Sequence, residues 1–411
     1  MEKEYLRWQA ENVKRALNTR RVVVVSGARQ TGKTTLSHQI LDKDSVYRTL
    51  DDTGLLAAAT ADPKGFVKNS SGTMVIDEIQ KVPLLLPEIK QAVDKDNRPG
   101  QYLLTGSANI QTLPRVSESL AGRVKNIRLR PLTVGEILEK RPSFLQRAFA
   151  RDFPMKIGGY DKEAIIELAF RGGYPEAARI EDVQERKEWY RDYLDSLMAR
   201  DLLDIANIRR QNTLKELIGI LASWSGKFMS VSEICASLST AKLTIESYVN
   251  ALLSLYLFDR IDPWTRSDYD RIGRRSKFYA ADTGMMAAIL GWDAKEVSLN
   301  PDRSGKLVET FVFQELAAQT DLDGRYSLYQ YRDREKREID FIVEREDGAM
   351  TGIEVKAGHN VVKRDFAHQE WFAENLVKDK QFVGIILYSG ENTLSFGENL
   401  LAVPIASLWS D

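Results

Sequence analysis

The chain has little of what a disulfide-linked, zinc-binding or membrane-spanning protein needs. It contains a single cysteine, Cys235, so no internal disulfide is expected, and a lone thiol fits a reducing cytoplasm. Its three histidines are far apart in the sequence, which argues against a zinc site. No apolar run approaches the length of a membrane span, and the first residues lack an apolar signal core. We therefore expect a cytoplasmic protein with no membrane partner.

Neither sign of charge is in excess. The 58 lysines and arginines are nearly balanced by 59 aspartates and glutamates, so the formal net charge is −1. This balance argues against a nucleic-acid-binding surface over the whole chain, but it leaves a local basic face open. The length of 411 residues fits roughly two to three globular domains.

A glycine-rich segment follows a strand-like run near the N-terminus. Gly27–Thr34 reads G-x-x-x-x-G-K-T and follows the apolar run Val22–Val25 after one residue, which predicts a P-loop between a strand and a helix. Its backbone N–H groups would bind phosphate, Lys33 would reach the β- and γ-phosphates, and Thr34 would hold Mg²⁺. We expect ATP and Mg²⁺ as cofactors. The expected nucleotide contacts in this loop are Gly27, Arg29, Gln30, Thr31, Gly32, Lys33, Thr34 and Thr35.

Two carboxylates end the next apolar strand, Thr73–Glu78. This is the Walker B pattern, in which Asp77 would hold Mg²⁺ through water and Glu78 would act as general base on the attacking water. The alternative is a strand that ends in solvated acidic residues. The suitable distance from the P-loop favours the catalytic interpretation.

Two further positions are candidates for sensing or stabilising the γ-phosphate. The apolar strand Leu103–Ser107 ends in small polar residues, so Ser107 is a candidate sensor, with Asn109 or a plain turn as alternatives. Arg123 precedes the last strand of this region, where it resembles an arginine finger that acts on a neighbouring copy. That role would require a homo-oligomer. An intramolecular salt bridge is the alternative for Arg123.

The middle of the chain is helical in pattern from about residue 160 to 255. Gly173–Pro175 reads Gly-x-Pro, a pattern in which Pro175 would touch the nucleotide from a helical lid. The alternative is a turn between two helices. For a second sensor arginine, Arg179 is only a guess.

Further on, Ser230–Leu238 and Leu243–Tyr256 predict a helix-turn-helix with a following wing. Five basic residues of this wing region could meet DNA phosphates, namely Arg266, Arg271, Arg274, Arg275 and Lys277. Use of this motif for packing rather than DNA binding is left open.

Four side chains near the C-terminus are expected to converge. Asp340 lies on one predicted strand, and Glu354 and Lys356 share one face of the next, because side chains alternate along a strand. Glu309 lies on a preceding helix that can face the same point. Together they reproduce the PD-(D/E)xK nuclease pattern, in which Glu309, Asp340 and Glu354 would bind Mg²⁺ and Lys356 would position the attacking water. The usual proline is replaced by Ile339, and the alternative is a solvated charged face.

The order of these motifs resembles a widespread prokaryotic family of AAA-type P-loop ATPases with a C-terminal domain of unknown function. The motifs that carry the resemblance are Gly-Ala-Arg-Gln-Thr-Gly-Lys-Thr (27–34), Ile-Asp-Glu-Ile-Gln (76–80), Leu-Thr-Gly-Ser-Ala (104–108), Ala-Gly-Arg-Val (121–124), Gly-Gly-Tyr-Pro-Glu (172–176), Lys-Phe-Tyr-Ala-Ala-Asp-Thr-Gly (277–284) and Glu-Ile-Asp-Phe with Glu-Val-Lys (338–356). The resemblance implies an ATPase core, a winged helix and a restriction-endonuclease-like end.

The expected fold is therefore α/β, with a parallel P-loop sheet flanked by helices, a helical lid, a winged helix and a second α/β domain. The expected boundaries are 1–135 for the ATPase core, 136–205 for the lid, 206–299 for the winged helix and 300–411 for the nuclease-like domain. The first functional hypothesis is an ATP-hydrolysing protein that controls a Mg²⁺-dependent nuclease acting on DNA. The first alternative is a non-cleaving ATP-dependent switch, and a helicase or translocase ranks third.

Overall fold

The computed structural model describes residues 4–68, 72–107, 122–199, 211–266, 275–377 and 380–410. The chain divides into two compact units, one formed by Met1–Pro131 with Ser254–Leu257 and the other by Leu132–Leu253 with Phe258–Asp411. Within the described ranges, none of the helices combines the length and apolar character that crossing a membrane requires.

The first unit is built on a parallel sheet. Among its described residues the strands are β1 (Val22–Ser26), β2 (Val46–Thr49), β3 (Met74–Asp77), β4 (Tyr102–Gly106) and β5 (Val124–Arg128). Their order is β2-β3-β4-β1-β5, and all the pairings are parallel. Successive side chains of β1 enter different cores, because Val22 and Val24 pack on one face of the sheet and Val23 and Val25 on the other.

Helices cover both faces of this sheet, which is why β1 is buried along its whole length. Among the described residues of the first unit, the α-helices are Gln9–Leu17, Lys33–Ile40, Thr53–Ala61, Pro63–Phe66 and Leu85–Lys95. The predicted alternation of strands and helices in an α/β unit is therefore confirmed. The sequence reading did not predict Thr53–Ala61, whose start is marked by the Asp52 carboxylate accepting from the Leu55 amide at 2.8 Å.

The second unit begins with helices and a small antiparallel sheet. Where the structure describes this unit before the C-terminal strands, the α-helices are Val134–Ile137, Phe144–Ala150, Lys162–Arg171, Val183–Ala199, Gln211–Ser223, Val231–Leu238, Lys242–Ser254, Thr283–Leu290, Ala294–Leu299 and Pro301–Leu322. The strands β6 (Lys227–Phe228), β7 (Phe258–Ile261) and β8 (Lys277–Ala280) form a sheet in the order β6-β8-β7. The helices Val231–Leu238 and Lys242–Ser254 are followed by the antiparallel hairpin of β7 and β8. This is the element order of the expected winged helix.

The C-terminal part of the second unit is a mixed sheet. Its strands are β9 (Tyr326–Arg332), β10 (Glu338–Arg345), β11 (Met350–Lys356), β12 (Phe382–Tyr388), β13 (Leu394–Gly397) and β14 (Leu400–Pro404), with the helix Ala367–Phe372 between β11 and β12. The order is β13-β14-β12-β11-β10-β9. The central strands β11, β12 and β14 are parallel, and the outer pairs are antiparallel. Helix Pro301–Leu322 packs against this sheet.

A buried carboxylate joins distant parts of the second unit. Asp282 accepts from the Gly173 amide at 2.6 Å and caps helix Thr283–Leu290 by accepting from the Met285 amide at 2.7 Å. Burial raises the pKa of this carboxyl, and a hydrogen bond from Tyr190 acts in the opposite direction. The Gly-Gly turn is thus held by a side chain more than a hundred residues away in sequence.

A second buried carboxylate, Glu315, has no cationic partner in any interaction described for it. One of its oxygens accepts from the Val134 amide at 2.8 Å, and the other has no hydrogen-bond partner among the described residues. Burial raises the pKa of Glu315 to about 8, and nearby Glu136 adds to the rise. Ionising Glu315 therefore places an uncompensated charge in the interior.

We expect Gly173→Ala to destabilise the second unit. A Cβ at Gly173 would lie 2.1 Å from the Leu132 carbonyl oxygen and 2.8 Å from its amide nitrogen, and backbone cannot move aside as a flexible side chain can. The free energy of unfolding should fall by about 1–3 kcal/mol, measured by thermal denaturation. The matched control is Gly219→Ala on helix Gln211–Ser223, where a Cβ meets open space and should stabilise by up to about 1 kcal/mol. Equal melting temperatures for the two variants would contradict the packing described here.

We expect Glu315→Gln to change the pH dependence of stability. The pKa of Glu315 is raised to about 8 in the folded state, so this carboxyl takes up a proton on folding. Its contribution to the free energy of unfolding therefore falls as pH rises from about 4.5 to about 8. Glutamine keeps an acceptor for the Val134 amide but cannot ionise. The variant should melt several degrees above the parent at pH 9 and close to it at pH 5. Parallel melting curves across this range would contradict a buried, ionising Glu315.

Candidate functional site

The P-loop is shaped by positions that tolerate little beyond glycine. A Cβ at Gly27 would lie 2.1 Å from the Leu129 carbonyl oxygen, so the chain passes β5's end too closely for a side chain. Gly32 has φ 89° and Gln30 has φ 60°, the left-handed conformation that turns the backbone sharply. The loop then enters helix Lys33–Ile40. This is the strand, turn and helix that the motif predicts.

The lysine of the motif lies against its own loop. The Lys33 ammonium is buried and donates to the carbonyl oxygens of Gly27 at 3.0 Å and Ala28 at 2.8 Å. Thr31 is also buried, with its hydroxyl donating to Ala28 at 2.9 Å. Among the other predicted contacts, Arg29 is half-buried, and Gln30, Thr34 and Thr35 are exposed.

An arginine that the sequence reading missed supports the same loop. Arg7 donates to the Thr31 carbonyl oxygen and to the Arg130 carbonyl oxygen, both at 2.6 Å. It thus joins the P-loop to the segment after β5. Its position before the first helix carries no motif, so no local signal in the sequence points to it.

Asp77, at the end of β3, lies beside Thr34 of the P-loop. Asp77 is buried and accepts from the Thr34 hydroxyl at 3.0 Å and from the Tyr47 hydroxyl at 2.7 Å. Its other oxygen accepts from Thr105. Burial raises the pKa of Tyr47, and its hydrogen bond to Asp77 raises it further. Tyr47 and Thr105 were not predicted, because their role depends on β2, β3 and β4 being neighbours in the sheet.

Glu78 follows Asp77 in a left-handed conformation, with φ 59°. Its carboxylate accepts from the side-chain amide of Gln80 and from the Ser107 hydroxyl at 3.2 Å. Gln80 also donates to the Ser107 hydroxyl at 2.9 Å. Ser107, the candidate sensor, thus lies next to the candidate base. The alternative sensor, Asn109, lies outside the described residues.

Arg123 lies at the amino ends of β1 and β5, whereas its own P-loop lies at the carboxyl end of β1. Val22 pairs with Val124, so Arg123 stands beside the beginning of β1, whereas the P-loop follows its end. Because β1 has five residues, the two ends of the strand are about 17 Å apart. The Arg123 guanidinium also forms a bidentate ion pair with Asp94 through two hydrogen bonds. These hydrogen bonds lower the pKa of Asp94. The intramolecular salt bridge named as the alternative is therefore present.

The middle-region candidates lie in the second unit. Pro175 is half-buried in the turn after helix Lys162–Arg171, and Arg179 is exposed. On the second helix of the helix-turn-helix, Lys242 pairs with Glu246 at 3.6 Å, so its described face carries mixed charge. Of the wing's basic residues, Arg271 and Arg274 fall outside the described residues.

The C-terminal candidates converge around Lys277, which was expected to meet DNA phosphates but lies buried among carboxylates instead. We call Glu309, Glu338, Asp340 and Glu354 the carboxylate cluster. The Lys277 ammonium lies 2.6 Å from a Glu338 oxygen and 3.3 Å from oxygens of both Glu309 and Asp340. Its side chain is only 1% exposed.

Burial and mutual repulsion set the protonation of the cluster. Burial raises the pKa of Glu309 to about 7, and attraction to Lys277 opposes the rise. Burial also raises the pKa of Glu354 well above its ordinary value, with Asp340 adding to the rise. Burial lowers the pKa of Lys277, but Glu309 and its neighbours outweigh this effect and hold it well above its usual range. Tyr279 donates to Glu309 at 2.7 Å.

The predicted catalytic lysine has another partner. The Lys356 ammonium lies 2.6 Å from Asp365, and the second oxygen of Asp340 accepts from the Val355 amide at 3.0 Å. Across the ranges that the structure describes, no three His, Cys, Asp or Glu side chains are placed so that they could hold a metal ion. The carboxylates expected to bind Mg²⁺ thus surround an ammonium group, and Lys356 is paired elsewhere.

Three family models match successive parts of the chain. Residues 19–138 match a model described as an AAA domain. Residues 162–296 match a domain of unknown function (DUF8612), and residues 304–408 match another (DUF4143). The chain therefore carries an N-terminal AAA-type P-loop ATPase domain followed by two domains of unknown function.

Relatives with similar sequences extend over most of the chain. An uncharacterized protein of Mycobacterium tuberculosis is 29% identical over 398 residues, which is 96% of this chain and 82% of the relative. One of Methanocaldococcus jannaschii is 23% identical over 408 residues, covering 95% of this chain and 88% of the relative. Among solved structures, the Holliday junction branch migration motor of Thermotoga maritima is 19% identical, covers 62% of this chain and 90% of that chain, and has a TM-score of 0.28.

Proposed function

We propose that this protein binds ATP with Mg²⁺ and hydrolyses it. The observation that carries the proposal is the 3.0 Å contact between the Thr34 hydroxyl and the Asp77 carboxylate, at the sheet edge where the P-loop turns. A hydroxyl and a carboxylate oxygen are the donors that Mg²⁺ prefers, so the residues present fit the ion. When bound, Mg²⁺ would neutralise charge on the phosphates.

The remaining side chains have separable roles in this proposal. Lys33 would leave the Gly27 and Ala28 carbonyl oxygens to bind phosphate, since an ammonium with three donors can exchange these neutral acceptors for an anion. Glu78 would accept a proton from the attacking water. The hydrogen bonds that it accepts from Gln80 and Ser107 fall on the same carboxylate oxygen, so they would orient Glu78 and leave its other oxygen to face the water.

A homo-oligomer remains part of the proposal. Arg123 stands at the edge of the sheet away from its own P-loop, so a role in phosphate chemistry would have to be on a neighbouring copy. The ion pair with Asp94 would then have to open when copies meet. Both side chains of this pair are partly exposed, so water can replace the partner and little stability is lost when the pair opens.

For the C-terminal region we favour a non-cleaving switch over a nuclease. The nuclease hypothesis needs carboxylates around a metal ion and a lysine beside the attacking water. Here Lys277 lies among the carboxylates and Lys356 pairs with Asp365. The proposed switch would bind DNA or protein under the control of the ATPase domain, with DNA the partner inferred from the helix-turn-helix pattern.

Lys33→Ala should abolish ATP turnover. Loss of the ammonium removes a charge that acts on the phosphates, so kcat should fall by about 100-fold or more, measured by phosphate release. The control is Lys14→Ala, which removes an exposed lysine paired with Glu11 on the first helix and should leave the rate unchanged. A full ATPase rate in Lys33→Ala would overturn the assignment of the P-loop.

Supercoiled plasmid separates the two C-terminal hypotheses. Incubated with ATP and Mg²⁺ or Mn²⁺, the parent protein should hydrolyse ATP and leave the plasmid intact. Asp340→Asn, which keeps an acceptor for the Val355 amide, should behave as the parent does. Nicking by the parent that Asp340→Asn lacks would establish the nuclease and reject the non-cleaving switch.

A further inference from the structure

The ammonium in the carboxylate cluster comes from outside the C-terminal sheet. Lys277 begins β8, in the hairpin that follows the helix-turn-helix, whereas Glu338 and Asp340 lie on β10. Two residues after Lys277, on the same face of β8, Tyr279 donates to Glu309. One short strand therefore supplies both a cation and a hydroxyl donor to acidic side chains of other elements.

The position of this ammonium coincides with the position that a metal ion would need. Its nitrogen lies between 2.6 and 3.3 Å from oxygens of Glu309, Glu338 and Asp340. A divalent ion bound by the same oxygens would lie at about 2.0–2.6 Å from them, and so within the volume that the ammonium fills. Two cations at so short a distance in a buried site would also repel each other strongly.

The backbone of Lys277 is held on both sides within the three-stranded sheet. Lys277 pairs with Phe228 of β6 on one side and with Ile261 of β7 on the other. Its ammonium also lies 5.6 Å from the centre of the Phe228 ring, and the side chain is almost fully enclosed. The fixed backbone and the enclosed side chain together keep the ammonium beside the carboxylates.

We infer that Lys277 is the resident cation of the carboxylate cluster and that its ammonium and a divalent metal ion exclude each other there. The inference rests on the non-cleaving role proposed for the C-terminal region and is independent of ATP hydrolysis. The cluster then connects the hairpin of β7 and β8 to the C-terminal sheet. The cation that holds this connection is an ammonium covalently attached to the chain, in place of a free ion. Removing that ammonium should uncover a site for a divalent ion.

Mn²⁺ binding to the full chain tests this inference. Free Mn²⁺ is measured by electron paramagnetic resonance without nucleotide or DNA, so the result is separate from the plasmid and ATPase assays. Lys277→Ala should bind a further equivalent of Mn²⁺ that the parent does not bind, and Lys277→Ala with Asp340→Asn should lose it. Lys277→Ala should also melt several degrees below the parent, and Mn²⁺ should recover part of that loss.

The control is Lys356→Ala, which removes a lysine of the neighbouring strand that pairs with Asp365 and should gain no Mn²⁺. A folded Lys277→Ala that binds no further Mn²⁺ would overturn the inference, and so would an equal gain in Lys356→Ala. If Lys277→Ala does not fold, the parent protein decides. Mn²⁺ bound by the parent and lost in Asp340→Asn would show that metal and ammonium coexist.

Discussion

The second unit depends on an ammonium group enclosed by carboxylates. A lone buried lysine would be strongly unfavourable, and so would several largely or partly buried acidic side chains without a cation. Each therefore requires the other, and the requirement fixes where the hairpin stands against helix Pro301–Leu322 and β10. A few residues further along the same segment, Asp282 holds the Gly-Gly turn. A six-residue stretch thus determines contacts in much of the unit.

The two aspartates at the centres of the candidate sites differ in the charge of their partners. At Asp77 the hydrogen-bond donors on Thr34, Tyr47 and Thr105 are neutral hydroxyls, which orient the carboxylate without neutralising it. At Asp340 the partner is the Lys277 ammonium, which supplies the positive charge itself. The first arrangement suits the binding of a cation, and the second already contains one. The same residue type therefore serves opposite purposes in the two units.

Local features of the sequence predicted the α/β fold of the first unit and the strand, turn and helix of the P-loop. The P-loop and the Walker B strand are each contained in about eight residues or fewer, so a short pattern was enough to indicate these elements and to suggest the roles proposed for Lys33 and Asp77. Tyr47 could not be predicted, because its contact with Asp77 depends on which strands are neighbours. Lys277 is 32 residues from Glu309 and 63 from Asp340, and no local pattern links them. The alternating Lys-x-Tyr of β8 was a signal of a shared face, but not of what the face would meet.

The tethered ammonium also bears on how this protein can be divided. The family model for the C-terminal region begins at residue 304, after the hairpin that carries Lys277. A fragment cut at that boundary would retain the carboxylates and lose their cation, and the remaining fragment would bury a lysine with no acid to meet it. The two regions are therefore separable as stretches of sequence but not as independent folding modules. Recombination or gene fission between them would therefore cost stability unless another cation replaced the missing one.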